Sequence, residues 1–356
     1  MERQLPWKQI ISLGALNVAL GISWIAYHEY QPHLLESFGL TDMARLLIWM
    51  KAIVLVCIPP LAGWIADRMF RKGSNFFLVF AIGIAVTAMI FMVVATLISI
   101  PQSPWILTAL PVMIAFWLIS MNIFISPANS LIERFTSQEN LPLVMGILIL
   151  ASDLSYALEP LIVGLVNFLG PTLTFITGGV LVGGSGYWFL KSSTATVAEK
   201  TQIPLQERNK PSKTGNPYLI IIAMGMALGL GKGLLMEFIP SQGPVGSMSG
   251  SVFSFLMLGV SAVAALLLGL RTHANQQRVF TIGIGMMILG GAILINVPLT
   301  ALKITGAVIV ALGFSASGIT GLPLAFQRLR ENQLILGTGL LLGSSEIISG
   351  ILEILG

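Results

Sequence analysis

The stretch ALGISWIAYHEYQP (Ala19–Pro32) returns further down the chain as ALGLGKGLLMEFIP (Ala227–Pro240). Each copy reads Ala-Leu-Gly, seven residues, Glu, an aromatic, one residue and Pro. A proline stops a helix by removing an N–H and crowding the preceding turn. A carboxylate just before it places a polar group where an apolar run reaches its end. Two occurrences of so unusual an ending point to a chain built from two related halves.

Composition sets the class in which such a repeat belongs. Of the 356 residues, 55% are hydrophobic and only 10% charged, with a mean hydropathy of +0.88. A soluble protein would carry roughly 25% charged residues. Eleven apolar runs, at about 7–30, 44–66, 75–99, 105–129, 141–168, 172–190, 217–239, 250–270, 278–297, 301–325 and 334–355, recur along the sequence. Runs of about 20 apolar residues span the ~30 Å hydrocarbon core of a bilayer as helices. They are continuous rather than alternating, which excludes a transmembrane barrel. The expectation is an all-α polytopic membrane protein, with MERQLPWK leading into a first spanning helix rather than a cleaved signal. The one cysteine, Cys57, allows no intrachain disulfide.

The basic residues set orientation. KSSTATVAEKTQIPLQERNKPSKTGN (Lys191–Asn216) separates six spans from five and holds five basic residues. With the N-terminus cytoplasmic, fifteen of the nineteen Lys and Arg fall on the cytoplasmic side, among them Arg68, Arg71, Lys72, Arg134, Arg271, Arg278, Arg328 and Arg330. This is the positive-inside distribution. It accounts for the pI near 9.3 without nucleic-acid binding. The expected division is residues 1–190 as a six-helix bundle, 191–216 as a cytoplasmic linker and 217–356 as a five-helix bundle.

Two further matches extend the repeat. GILILASD (Gly146–Asp153) in span 5 parallels GLLLGSSE (Gly339–Glu346) in span 11, and PANSLIER (Pro127–Arg134) parallels PLAFQRLR (Pro323–Arg330). Spans 1, 4 and 5 thus correspond to 7, 10 and 11. Parallel repeats related by an axis along the membrane normal are a transporter architecture.

The connection after span 2, GWIADRMFRKG (Gly63–Gly73), resembles the loop signature of the major facilitator superfamily. The match covers Gly63, Asp67, Arg68, Arg71 and Lys72, with Phe70 where the family usually has Gly. The resemblance implies the major facilitator fold: two pseudo-symmetric bundles around a central cavity, here with eleven spans and the twelfth missing. It also makes the Asp67–Arg68 motif a cytoplasmic gate. WIAYHEYQPHLLESFGL (Trp24–Leu40), followed by GWIADR, is similar to sucrose-type and glycoside carriers. Ala128 and Asn129 stand where those carriers often have Arg.

Charges inside the membrane are costly, about 2.5–3.5 kcal/mol at the centre on insertion scales, and therefore mark cavities or partners. Asp153, Glu346, Glu159, Lys51 and Lys232 are the candidates for proton coupling and the cavity. Asp153 and Glu346 lie about twelve residues into their spans, so ~18 Å deep at 1.5 Å per residue. By depth, Lys51 pairs with Glu346 and Lys232 with Glu159. Glu29 and Glu237 are either polar helix ends or a symmetric outer gate. Asn17, Trp24, Trp117 and Asn122 are weaker lining candidates. His28, His33 and His273 share no metal-ligand spacing, and GLGKG (Gly229–Gly233) lacks the phosphate-loop spacing. Neither metal nor cofactor is expected.

The resulting expectation is a non-enzymatic, monomeric secondary transporter in an inner or plasma membrane. It would move a small polar solute in symport with protons by alternating access, with a sugar or glycoside ranked before an organic acid. A drug or metabolite exporter, and a non-transporting sensor or assembly factor on the same scaffold, are the alternatives.

Overall fold

Each apolar run becomes a helix, and most continue beyond the run that predicts them. The structure, a computed structural model, describes residues 5–37, 44–72, 77–100, 104–201, 216–242, 244–272, 275–297 and 299–355. The helices are α1 (Trp7–Ser37), α2 (Ala44–Arg71) and α3 (Phe77–Ser99). In α4, Pro104–Ile123 is continued by Ile125–Ser130 and Ile132–Phe135. Leu141–Ala157 begins α5, and the helix Glu159–Thr201 completes it and then forms α6. These two parts meet at Gly170, whose φ of 73° and ψ of 169° turn the chain back before Pro171. Only glycine adopts that conformation without strain.

The remaining helices are α7 (Pro217–Gly233, a π-helical turn Leu234–Phe238, then Ile239–Ser241), α8 (Gly250–Arg271), α9 (Gln276–Asn296), α10 (Thr300–Arg328) and α11 (Leu334–Leu355). Ten segments among the described residues are long and apolar enough to cross a membrane, and Leu141–Ala157 is a shorter apolar helix. Bulky side chains such as Phe168, Leu161 and Ile295 are exposed on the outside, as a hydrocarbon solvent favours.

One sequence boundary shifts. The linker expected from Lys191 begins later, because the helix runs on to Thr201. The segment Lys191–Thr201 contains neither Gly nor Pro, and Ala195, Ala198, Glu199 and Lys200 are good helix formers. Its start is tied to α1 by Gln9 Nε2 donating to the Ser192 carbonyl at 3.0 Å and by Ser12 Oγ against Ser192 Oγ at 2.9 Å. Residues 202–215 lie outside the described residues.

Two helical bundles meet along two seams, α2 against α11 and α5 against α8. Both seams taper. A Cβ at Gly63 would lie 2.5 Å from the Ile335 carbonyl oxygen and one at Gly343 2.5 Å from that of Val56, whereas at Gly350 the nearest atom, Ala52 Cβ, is 3.4 Å away. In the other seam the corresponding distances are 2.8 Å (Gly269 to the Pro142 oxygen), 2.6 Å (Gly146 to the Ala265 oxygen) and 3.9 Å (Gly259 to Ala157 Cβ). The bundles therefore press together at the end that carries Arg71, Lys72, Arg134 and Arg271, here called the basic end, and part towards the opposite end.

Candidate functional site

The tapering seams leave a cavity of about 530 Å³ between the bundles. Its wall draws on α1, α2, α4, α5, α7, α8 and α11, so both halves contribute. Local breaks shape this wall. Pro59 and Pro60 in α2 deprive the carbonyls of Leu55 and Val56 of their helical donors, and Leu55 and Pro59 face the cavity. In α7, the π-helical turn Leu234–Phe238 follows Lys232 and contains Glu237. Such turns widen a helix and release a carbonyl. Here Ser254 Oγ of α8 donates to the Leu235 carbonyl.

The charged side chains on the wall are Lys51, Glu159, Lys232, Glu237 and Glu346, with His28 beside them. Lys232 Nζ donates to both carboxylate oxygens of Glu346 at 2.7 Å. The pair is half-buried, with side-chain exposures of 31% and 19%, so it meets the water of the cavity. Lys51 Nζ lies 3.5 Å from His28 Nε2. These contacts correct the pairing inferred from depth: Lys232 takes Glu346 rather than Glu159, and Lys51 meets His28 rather than Glu346. Depth fixes only one cylindrical coordinate of a residue; packing of α7 on α11 fixes the azimuth.

Of the sequence candidates, Trp24 and Asn122 also line the cavity. Asn122 Nδ2 donates to its own helix at the Leu118 carbonyl, 2.8 Å. Asn17 and Trp117 are not on the wall; Trp117 is buried and stacked on Tyr27 at 5.0 Å, behind Trp24. Glu237 lines the cavity whereas Glu29 does not, and Glu29 accepts from Asn167 Nδ2 at 2.9 Å. The two repeated glutamates are thus not brought together in this conformation. Tyr156, Ser251, Ser254 and Ser349, unremarked in the sequence, complete the polar wall. Nothing distinguishes them from packing residues without the azimuth of their helices.

Asp153 is placed away from the cavity wall. It is buried in the α5–α8 seam, where Ser261 Oγ of α8 donates to Asp153 Oδ2 at 2.6 Å. Ser261 Oγ is 3.0 Å from Ser315 Oγ of α10, and Ser315 Oγ reaches the Ser261 carbonyl at 2.8 Å. One carboxylate from the first half is thus held by a hydroxyl of the second, which in turn rests against another.

The basic end is closed by the loop motif. Asp67, buried at the end of α2, accepts from the backbone N–H of Leu336 at 2.8 Å and of Ile335 at 3.4 Å. A helix N-terminus has unpaired N–H groups and a partial positive charge, so a carboxylate is favoured there. Asp67 reaches across the seam to cap α11. Arg134 Nη1 stands 3.7 Å from Glu331 Oε1, and its guanidinium lies 4.5 Å from the centre of the Phe70 ring. Phe70, the departure from the loop pattern, gives Arg134 a cation–π surface. Arg68 packs over Trp64 at 5.4 Å. Gly63, at the head of the motif, is the point of closest approach to Ile335; Arg71 and Lys72 are exposed at the rim.

The two-bundle helical arrangement recurs in solved structures. The human organic anion transporter MFSD10 (TETRAN) superposes with a TM-score of 0.70 at 14% identity, over 99% of this chain and 93% of that one. The chain has the major facilitator fold. A bacterial homologue of the iron transporter ferroportin, in an outward-facing state, superposes on the same fold with a TM-score of 0.65 at 14% identity, over 99% and 91%. Its iron-soaked form gives 0.65 at 15% identity. No protein-family model and no curated protein matches the sequence. Among the described residues no three His, Cys, Asp or Glu side chains cluster closely enough to hold a metal ion.

Proposed function

We propose that this chain is a secondary active transporter that carries a small organic anion through the central cavity by alternating access. The observation that carries this reading is the half-buried Lys232–Glu346 pair, 2.7 Å long, on the wall of a cavity latched at the basic end. A rocking-bundle carrier needs such a midway site, reached from one side at a time. The positive-inside rule makes the basic end cytoplasmic, so the conformation described is the outward-facing one, with residues 202–216 linking a bundle of residues 1–201 to one of 217–356. The protein would act as a monomer in an inner or plasma membrane.

The anion reading rests on Lys232 and Lys51, which share the wall with Glu159, Glu237 and Glu346. Lys232 is held by a carboxylate that a substrate carboxylate or sulfonate can replace, while Lys51 and His28 face the same space from the other bundle. One solved structure with this fold is named an organic anion transporter, which supports the assignment. A sugar or glycoside is the second reading, favoured by Trp24 and Asn122 on the wall.

Proton symport is assigned to Asp153. A negative charge enclosed without a cation costs several kcal/mol, so closing the α5–α8 seam favours a neutral group at that position. Reopening the seam would return the proton. Glu346 would be the second coupling group, freed when substrate takes Lys232. Glu29 and Glu237 would form the outer gate in the opposite conformation. The test is a thermal-stabilisation screen across organic anions, sugars and amino acids, followed by uptake into proteoliposomes under an inward proton gradient. Stabilisation by sugars alone would replace the anion reading with the second one.

A further inference from the structure

The central cavity has a neighbour. An apolar cleft of about 720 Å³ opens on the outer side of the α5–α8 seam, lined by residues such as Ala157, Pro160, Val252, Val263 and Leu312. The two spaces lie back to back. Tyr156, Glu159, Ser251 and Leu258 face the cavity, while their chain neighbours Ala157, Pro160, Val252 and Gly259 face the cleft. Phe255 lines both.

The partition is thin at this level for three reasons. The seam has tapered: a Cβ at Gly259 would still be 3.9 Å from Ala157 Cβ. The residues that face each other there, Gly and Ala, have almost no side chain. The α5 helix is interrupted between Ala157 and Glu159, and Pro160 removes a backbone donor from the next turn. Phe255, which lines both spaces, is the side chain that stands between the charged chamber and the apolar one.

We infer that the substrate is a single-chain amphiphile that enters from the bilayer, its anionic head in the central cavity at Lys51 and Lys232 and its alkyl tail passing Phe255 into the α5–α8 cleft. The occupant is set by continuity and by the anion reading above: the cleft is apolar, and the polar space that adjoins it at Phe255 holds Lys51 and Lys232 alongside Glu159, Glu237 and Glu346. The inference rests on the transporter reading above, and its test separates the two.

Uptake of decanesulfonate and of ethanesulfonate, below micellar concentration, is measured in proteoliposomes. The two share a permanently charged head that does not cross the bilayer unaided, and differ in the tail. Wild type is expected to carry both, and Gly259→Leu to lower decanesulfonate uptake at least tenfold while ethanesulfonate stays within twofold. The leucine fits the backbone, because its Cβ makes only an ordinary contact. If that variant fails to fold, Val263→Trp fills the same cleft from its exposed side. A cleft filled by ordinary bilayer lipid alone predicts equal effects on the two probes or none, and either result overturns the inference. Uptake of ethanesulfonate without decanesulfonate by wild type overturns it while leaving the transporter reading intact. Uptake of neither sinks both.

Discussion

Replacing Asp67 by Ala removes the carboxylate that joins α2 to the start of α11. Asp67 is 3% exposed and accepts one N–H at 2.8 Å and a second, longer one at 3.4 Å. A hydrogen bond to a charged group contributes about 1.5–3 kcal/mol. The longer contact adds little, because such bonds weaken beyond the usual range. The interaction exists only when the basic end is shut, so about 2 kcal/mol is lost from that state alone. The ratio of basic-end-closed to basic-end-open molecules should fall about thirtyfold at that energy. Asp67→Asn keeps an acceptor without the charge and should fall about fivefold, as for a neutral bond of ~1 kcal/mol. Spin labels at Lys72→Cys and Arg271→Cys, both exposed at the basic end, in a Cys57→Ser background, report the gap between the bundles by pulsed dipolar spectroscopy. A long-distance population should grow in the order wild type, Asn, Ala. Identical distributions in all three proteins would refute the latch.

The central pair gives a second expectation. Lys232→Met strands a carboxylate and should lower the thermal midpoint, while Lys232→Met with Glu346→Gln recovers part of the loss; a double variant as unstable as the single one contradicts the pair's energetics. Asp153→Asn should abolish proton-driven accumulation while substrate exchange between preloaded vesicles continues, and normal accumulation by this variant removes Asp153 from coupling. Orientation is checked at Lys72→Cys, which should react with a membrane-impermeant maleimide only after permeabilisation. Labelling of intact cells there would invert the topology.

The spans and their repeat were legible because hydropathy needs only length, and a helix in lipid has no alternative way to satisfy its backbone. The motif around Asp67 was legible as a motif, while its hydrogen bond from Leu336 across the seam is a tertiary fact. Four features were hidden. The π-helical turn Leu234–Phe238 lies in an apolar run whose composition is the same for α and π. The choice of Glu346 by Lys232 depends on which faces of α7 and α11 meet, and an all-round apolar helix advertises no face. For the same reason Asp153, read at midplane depth, turns out to face α8 and Ser261 rather than the cavity. The helix beyond Lys191 was masked by its polarity, which in a cytoplasmic extension says nothing against helicity.

The central claim is that a solute binds between the bundles and crosses when the closed end changes sides. Cysteine accessibility at Ser349, on the cavity wall, tests it most directly. In a Ser349→Cys, Cys57→Ser protein in sealed vesicles of known orientation, an impermeant maleimide added at the side opposite the basic end should label the thiol. Saturating substrate should suppress that labelling, and Asp67→Ala should transfer part of it to reagent added at the basic end. Labelling from one side only, unaffected by substrate and by Asp67→Ala, would contradict alternating access through this cavity.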